Sequence, residues 1–324
     1  MKQHSRPGER SMRGLSLVEV MVAMAIGIIV ILGVTGIMIT NRQNLRITEG
    51  LSESQENARM AFELIARDVR QARDTGCGTV SVNNALNANW WGIWWPIRGF
   101  AGTEPTGAVA IGANEGQRVS GTEALQLLGS GEARLIAMPS ADGTTVNLQT
   151  AAGTLAGGPV IVCDLLSASL HTAGASGTKA ITATPAIAGG HPDMSNPPLQ
   201  VSRLTAVTWF IGNNNNADGG GRSLYRARLL PDGGINTEEI LPGVVNMTIT
   251  YKLKDTSSFV ASDDASLATQ AAWDTINAIN LTLTTESTQK NITSDAASAP
   301  AALVGSNGRI RRDITHVISL RDTI

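Results

Sequence analysis

The sequence predicts an α+β fold in which one long N-terminal helix packs on a mostly antiparallel β-sheet. Three observations support this prediction. An apolar run extends from Val20 to Ile39, an amphipathic helical pattern follows it without a break, and the rest consists of short β-type runs between turn residues. Because no helical segments alternate with those runs, a parallel α/β architecture is not expected.

The composition excludes several classes of protein. Among the 324 residues, 25 basic and 27 acidic side chains leave a formal net charge of −2, which gives no electrostatic case for nucleic-acid binding. Two cysteines and four scattered histidines are too few for a disulfide-dense scaffold or a four-cysteine zinc site. We therefore expect no metal, no cofactor and no nucleic-acid partner.

The first element is predicted to be a membrane helix. Residues 20–39 contain one polar side chain, that of Thr35, and at 1.5 Å per residue they span roughly 30 Å, the hydrocarbon thickness of a bilayer. A cleaved secretory signal is the alternative, but its apolar region would be about 7–15 residues long. The basic residues of positions 1–14 predict a cytoplasmic N-terminus and a body on the other side of the membrane.

An acidic residue, Glu19, stands at the head of this apolar run. A carboxylate at the centre of the hydrocarbon costs about 2.5 kcal/mol or more, so a cationic partner is expected if the side chain enters the bilayer. The simpler interpretation is that Glu19 lies at the headgroup interface, where water solvates it.

Gly14, the sequence Leu-Ser-Leu-Val-Glu at 15–19 and the apolar helix together resemble the class III leader of type IV prepilins and pseudopilins. The resemblance implies that a prepilin peptidase cleaves between Gly14 and Leu15 and methylates the new amine of Leu15. It also implies that Glu19 neutralises the terminal amine of an adjacent subunit during filament assembly. The sequence departs from the usual pattern because Leu15 replaces the more usual Phe and the apolar helix contains no proline.

The second half of the helix is predicted to be amphipathic. Apolar residues recur at spacings of three, four or seven, which places them on one helical face. Gly76 and Gly78 are typical stop signals, so we predict one helix from about residue 16 to 74, with Gly50 as a candidate break. The predicted apolar face consists of Leu51, Ala58, Phe62, Ile65, Val69 and Ala72.

The remainder is predicted to be β-rich, with loops at Ala173–Gly177, Ala186–Pro198 and Ser294–Gly308, where Gly, Ala, Ser, Pro and Asn accumulate. Runs rich in Val, Ile, Leu and Thr mark the strands. The predicted strands are Glu123–Leu128, Ala133–Met138, Thr145–Leu148, Pro159–Leu165, Leu204–Ile211, Ser223–Leu229, Val244–Leu253, Ile276–Thr284 and Ile314–Leu320.

The body is similar to the PilW family of minor pilins, and the similarity rests on the order of short motifs along nearly the whole chain. The motifs are Gly-Cys at 76–77, Gly-Thr-Glu-Ala-Leu at 121–125, Gly-Pro-Val-Ile-Val-Cys-Asp at 158–164, Ser-Leu-Tyr-Arg at 223–226, Leu-Pro-Gly-Val at 241–244 and Arg-Arg at 311–312. The resemblance implies a pilin-like fold. We expect a leader at 1–14, a transmembrane assembly helix at 15–40, its amphipathic half at 41–75 and a periplasmic β-rich pilin domain at 76–324.

The two cysteines, Cys77 and Cys163, would both lie on the exported side, where an oxidising periplasm favours a disulfide. A bridge between them would close a loop of 86 residues. In the chain-entropy model such a loop stabilises the fold by about 4–5 kcal/mol. Two free buried thiols are the alternative.

Four of the six tryptophans, Trp90, Trp91, Trp94 and Trp95, lie within six residues of one another. We favour the interpretation that they cover the core, because the rest of the chain has few large aromatic residues. If two of them are exposed, they are the first candidates for a contact with a partner subunit, since tryptophan is enriched in interface hot spots.

A calcium loop is rejected. Asn214, Asn216, Asp218 and Gly219 match positions 1, 3, 5 and 6 of such a loop, but Tyr225 stands where a bidentate acid is required. A hairpin tip rich in Asn and Gly is the better interpretation.

No catalytic site is predicted. The sequence contains no nucleophile elbow, HExxH helix or P-loop. His171 and His191 lie in segments of small residues that read as loops, without an evident nucleophile. Glu238 and Glu239 are adjacent, so their side chains point apart in an extended chain and are expected to be solvated.

The resemblance implies a minor pilin of a type IV pilus that is anchored by a single pass in the bacterial inner membrane before it enters the pilus. It would act with prepilin peptidase, other minor pilins and the major pilin to initiate assembly. A tip complex that includes an adhesin would give it a share in adhesion and twitching motility. Two alternatives remain, a J-type pseudopilin of a type II secretion system and a signal-anchored periplasmic enzyme.

Overall fold

The computed structural model divides the chain into two compact units, residues 1–49 and 50–324. The residues it describes are 16–76, 78, 81–83, 86, 90–140, 142–155, 157–164, 167–187, 199–216, 220–290, 305 and 308–320. The predicted fold class is confirmed, because a long apolar N-terminal helix precedes a mostly antiparallel β-rich body.

The long helix, α1, extends over Leu17–Gln71 and continues through Gly50, the candidate break. No proline interrupts it, so its backbone hydrogen bonds run on unbroken. It ends where Arg73 and Gly76 adopt φ values of 72° and 88°, the left-handed conformation that commonly terminates a helix. The observed bounds therefore agree closely with the predicted 16–74.

The described residues form fourteen strands and a short helix. The strands are β1 (Ser81–Asn83), β2 (Ile97–Phe100), β3 (Ala124–Pro139), β4 (Thr145–Leu148), β5 (Gly158–Cys163), β6 (Ser167–Gly177), β7 (Ala180–Thr184), β8 (Leu199–Asn213), β9 (Arg222–Leu229), β10 (Ile235–Pro242), β11 (Val244–Leu253), β12 (Val260–Ala261), β13 (Ile276–Glu286) and β14 (Arg311–Ser319), and the short helix is α2 (Gln270–Asp274). The smaller of the two sheets is antiparallel and has the order β12-β11-β13-β14.

The larger sheet is built on the antiparallel pair of its two longest strands, β3 and β8. Their register runs from Ala124 opposite Phe210 to Ala137 opposite Leu199. At the first of these ends, β2 joins β3, while β9 and then β10 join β8. The result is an open five-stranded sheet with the order β2-β3-β8-β9-β10.

At the other end of this pair the larger sheet closes into a small barrel. There β4 joins β3, β5 joins β8, and β6 and β7 complete the ring β3-β4-β7-β6-β5-β8. Six strands leave an interior that side chains can fill. The apolar residues that pack together there are Ala137, Val146, Leu148, Ala152, Leu155, Val160, Val162, Ala173, Ile181, Ala183, Ile187, Leu199 and Val201.

A separate and larger core joins the second half of α1 to both sheets. Ile65 and Val69 of α1 are fully buried in it, together with Trp209 of β8 and Ile249 of β11. Burial of one such aliphatic side chain stabilises a fold by about 1.5–3 kcal/mol. The packing of this face therefore holds the second half of α1 against the sheets.

The strand predictions are largely confirmed, with three corrections. The runs at 123–128 and 133–138 belong to the single long strand β3. Ala173–Gly177 is not a loop, because it forms the end of β6 and pairs with β5 and β7. The strands β1, β2, β6, β7, β10 and β12 were not predicted. The predicted loops Ala186–Pro198 and Ser294–Gly308 lie mostly outside the described residues.

Candidate functional site

The first part of α1 is apolar and exposed. Its most apolar window has a mean hydropathy of 2.8, and none of that window is buried in the protein. The hydroxyls of Thr35, Thr40 and Thr48 each donate to the backbone carbonyl four residues earlier, at 2.8, 3.0 and 2.6 Å. These bonds satisfy the hydroxyl protons within the helix. By length and composition, α1 is able to cross a membrane.

Glu19 lies in the first turn of α1 with an exposed side chain. Its backbone N–H donates to the carbonyl of Ser16 at 3.0 Å, so Glu19 takes part in the hydrogen bonding of the first helical turn. Leu17 and Val18 beside it are 77% and 66% exposed. Gly14 and Leu15 lie outside the described residues.

The second half of α1 buries most of the predicted face. Ala58, Phe62, Ile65 and Val69 are buried, as the sequence predicts, and Leu51 and Ala72 are partly buried. Polar contacts accompany the packing: Ser54 Oγ lies 2.5 Å from Thr285 Oγ1 of β13. A side-chain hydrogen bond of this kind fixes the axial position of a helix better than apolar contact, which tolerates sliding.

Asp68 connects α1 to the larger sheet. Its Oδ2 accepts a hydrogen bond from Nε1 of the fully buried Trp209 at 3.0 Å. Nη1 of Arg226 lies 3.8 Å from the same oxygen, and the Arg226 guanidinium lies 5.4 Å from the Trp209 ring centroid. Burial raises the pKa of Asp68, and the charge of Arg226 opposes that rise. Sequence reasoning missed this cluster because Asp68 is more than a hundred positions from both Trp209 and Arg226.

The tryptophan cluster belongs to the interior. Trp91 and Trp94 are each 5% exposed and pack with Leu170 and Leu204 on the outside of the barrel. Trp90 and Trp95 are partly buried, and both pack against core residues. The favoured interpretation, that these residues cover the core, matches their burial. A contact of these residues with a partner subunit stays a prediction.

Cys163 ends β5 and is 1% exposed. Its Sγ lies 3.7 Å from the carbonyl oxygen of Thr75, and Thr75 precedes Cys77 by two positions. Cys77 itself lies outside the described residues. The pairing of Cys77 with Cys163 therefore stays a prediction.

His171 is in strand β6, not in a loop as the sequence suggested. Its Nε2 lies 2.6 Å from Ser169 Oγ, and its Nδ1 lies 2.7 Å from the carbonyl oxygen of Pro185. Both side chains are 2% exposed. Both ring nitrogens of His171 therefore have partners within the protein. His191 lies outside the described residues.

Metal binding has no support in the described part of the chain, which contains no group of three or more His, Cys, Asp and Glu side chains arranged to hold an ion. The rejected calcium motif lies at a hairpin, where Asn213 of β8 pairs with Arg222 of β9. Asp218 and Gly219 of that motif lie outside the described residues.

Comparison with known proteins gives two family matches. Residues 10–35 match the Prokaryotic N-terminal methylation motif, in a stretch that contains Gly14, Leu15 and Glu19. Residues 208–322 match Type IV Pilus-assembly protein W. This second stretch starts near the end of β8 and contains β9 to β14, so the barrel strands β4 to β7 lie outside both matches. No curated protein and no solved structure matches the chain.

Proposed function

The matches to the methylation motif and to pilus-assembly protein W support a minor type IV prepilin of that family, and from this premise we propose a function in starting pilus assembly. Prepilin peptidase cleaves the chain after Gly14 and methylates the amine of Leu15. Residues 15–40 anchor the protein in the bacterial inner membrane, and the body from residue 76 onward faces the periplasm. Residues 41–75 connect the two.

The placement of Glu19 is the observation that carries this proposal. Cleavage after Gly14 would put a new amine four positions before Glu19, next to the first turn of an exposed apolar helix. A carboxylate at that depth needs a cation, and the amine of a neighbouring subunit supplies one. Apolar helices that pack side by side in lipid can slide along one another, because their contacts have no preferred direction. The pair of Glu19 and the amine therefore sets the axial register between neighbouring subunits.

We place the protein at the tip of the pilus, in a complex with other minor pilins and an adhesin. The second unit extends over residues 50–324 and includes a closed barrel beside its main core. A body of that size would be hard to repeat along a filament whose subunits pack side by side. Through this position the protein contributes to adhesion and twitching motility. An even distribution along the shaft, seen by immunolabelling, would contradict the tip position.

A disulfide between Cys77 and Cys163 stabilises the exported body in this proposal. Two observations support it: the described residues include no free cysteine, and the Cys163 sulfur lies close to the backbone at Thr75. The bridge would tie the segment after α1 to strand β5.

The deciding experiment determines the intact mass and N-terminal sequence of the protein from cells with and without prepilin peptidase. A mature start at methylated Leu15, lost in the peptidase knockout, is the expected result. An intact Met1, or cleavage beyond residue 40, would contradict the proposal and reopen the anchored-enzyme alternative.

A second experiment tests the assembly role with matched variants. Glu19→Leu should be cleaved and inserted normally but should fail to support pili, whereas Glu49→Leu, a change at an exposed position of the same helix, should support them. In the deletion strain, loss of motility with intact exoprotein secretion indicates a pilus. The opposite pattern indicates the type II secretion pseudopilus.

A further inference from the structure

A notch of about 560 Å³ lies at the open edge of the five-stranded sheet. It is lined by the loop segments 108–110 and 115–117, by Thr237 and Glu239 of β10, and by Tyr225 of β9. Glu239 and Tyr225 are register partners, so their side chains stand on the same face of the sheet. The lining of the notch includes neither a residue of α1 nor Cys163.

The charged side chains that line the notch are all acidic. Glu115 and Glu239 contribute a carboxylate each, and the lining includes no lysine, arginine or histidine. Each carboxylate is held by a neighbour: Asn215 Nδ2 donates to Glu115 Oε2, and Ser223 Oγ donates to Glu239 Oε1 at 2.6 Å. A carboxylate accepts several hydrogen bonds, so both groups retain capacity for a ligand.

A buried hydroxyl completes the arrangement. Tyr225 is 4% exposed, and its Oη has no hydrogen-bond partner in the structure. Burial, and then the charges of Glu239 and Glu115, raise the pKa of this hydroxyl to about 12, so it keeps its proton and lies within the field of both carboxylates. Buried polar atoms in folded proteins are nearly always paired, so an orphan beside two oriented acids indicates a missing partner.

We propose that this notch binds an organic cation, the primary ammonium or guanidinium group of a lysine or arginine side chain or of a free polyamine. Such a group donates several hydrogen bonds at once, and the two carboxylates and the Tyr225 oxygen can accept them. Calcium fits less well, because it takes 6–8 oxygens at 2.3–2.6 Å. The described residues offer no cluster of three acidic ligands. The inference does not depend on the proposed function.

The test measures binding to the full chain in detergent micelles by isothermal titration calorimetry at low ionic strength. The probes are Gly-Lys-Gly and Gly-Arg-Gly peptides with blocked ends, spermidine, calcium chloride and, as the uncharged control, blocked Gly-Gln-Gly. The test variant is Glu115→Gln/Glu239→Gln. The matched control is Glu56→Gln/Asp263→Asn, which makes the same charge change at two exposed positions elsewhere.

We expect the basic probes to bind, and the Glu115→Gln/Glu239→Gln variant to lose at least about tenfold in affinity, since each charge-assisted hydrogen bond is worth that much. The control variant should bind as the wild type does. Tyr225→Phe should weaken binding about threefold or more without lowering the unfolding temperature, because it removes an unpaired hydroxyl. Tight peptide binding would identify a protein side chain as the source, and spermidine binding without peptide binding would identify a polyamine.

Three outcomes would overturn the inference: no binding of any basic probe, equal loss in test and control variants, or binding of calcium alone. If the double variant unfolds, Glu115→Gln alone provides the test, because Glu115 is exposed on a loop. In that case an unchanged affinity for the basic probes would also overturn it.

Discussion

Replacing Asp68 by alanine should destabilise the β-rich unit by about 2–3 kcal/mol. The change removes the acceptor for Nε1 of Trp209, a donor on a fully buried side chain, and an unsatisfied buried donor costs about 1–3 kcal/mol. Arg226 loses one anionic neighbour but retains Glu238 at 2.6 Å, which limits its share of the cost. Asp68→Asn keeps an acceptor oxygen and removes a carboxylate that is costly to bury, so its effect should stay within about 1 kcal/mol.

The assay is urea and thermal unfolding of the full chain in micelles, followed by tryptophan fluorescence. In a unit of this size, about 1 kcal/mol corresponds to a shift of about 2–4 °C in Tm. The Asp68→Ala variant should therefore unfold roughly 4–12 °C below the wild type. In a Trp209→Phe background the same change should cost about 1 kcal/mol less, because no indole donor remains to be left unpaired.

The pH dependence gives an independent check of the same contact. Burial raises the pKa of Asp68 above its usual 3.8, so the unfolded chain releases this proton first as the pH rises. The wild type should therefore lose stability relative to Asp68→Asn as the pH rises from about 3.8 through the folded pKa, and the difference should then level off. Equal costs for the alanine and asparagine variants, or no coupling to Trp209, would refute the reasoning.

Three further predictions concern other buried groups. Arg118 is 0% exposed and donates to three backbone carbonyls, so Arg118→Met should cost more than about 3 kcal/mol in urea unfolding, and a smaller loss would mean that water replaces those bonds. Burial raises the pKa of Tyr225 to about 12 and that of Tyr251 well above 10, so ultraviolet titration of the folded chain should show little phenolate at about pH 11. Stability should fall as the pH rises past 10, because the unfolded chain ionises first. Cys163→Ser should cost about 2–5 kcal/mol if Cys77 is its partner, and a free-thiol assay that labels the native chain would contradict the bridge.

The sequence predicted the elements whose signals are local. A long apolar run followed by a stripe at helical spacing can form only a long helix, and Gly76 marked its end within a few residues. The runs around β8, β11 and β13 carry Val, Ile and Leu at a density that marks buried strands whatever their partners are.

The barrel was not predictable in the same way. Strand β6 reads Ser-Ala-Ser-Leu-His-Thr-Ala-Gly-Ala-Ser-Gly, a composition typical of loops. Small side chains are what a narrow barrel needs on its inner wall, where Ala173 packs beside Val160. The need for small side chains arises from the closure of the ring by strands that are distant in sequence. A short stretch of sequence therefore cannot predict it.

The notch at β10 was missed for a related reason. Glu238 and Glu239 were expected to be solvated surface groups, and Glu239 is indeed exposed. Each carboxylate also has a polar partner, because Glu238 pairs with Arg226 on one face and Glu239 accepts from Ser223 on the other. Side chains alternate along a strand, so neighbouring carboxylates stand on opposite faces of the sheet. Only the register of β9 and β10 shows that Glu238 lies opposite Arg226 and Glu239 opposite Tyr225.

The separation of the two cores has a mechanical consequence. A pull transmitted along α1 would enter the body through Phe62, Ile65 and Val69, which share their core with the two sheets. Of the residues that the structure describes, none from α1 belongs to the barrel core. Tension would therefore pass from the helix to the two sheets through this shared core, whereas the barrel core would receive it only through β3, β8 and the segment next to Cys163.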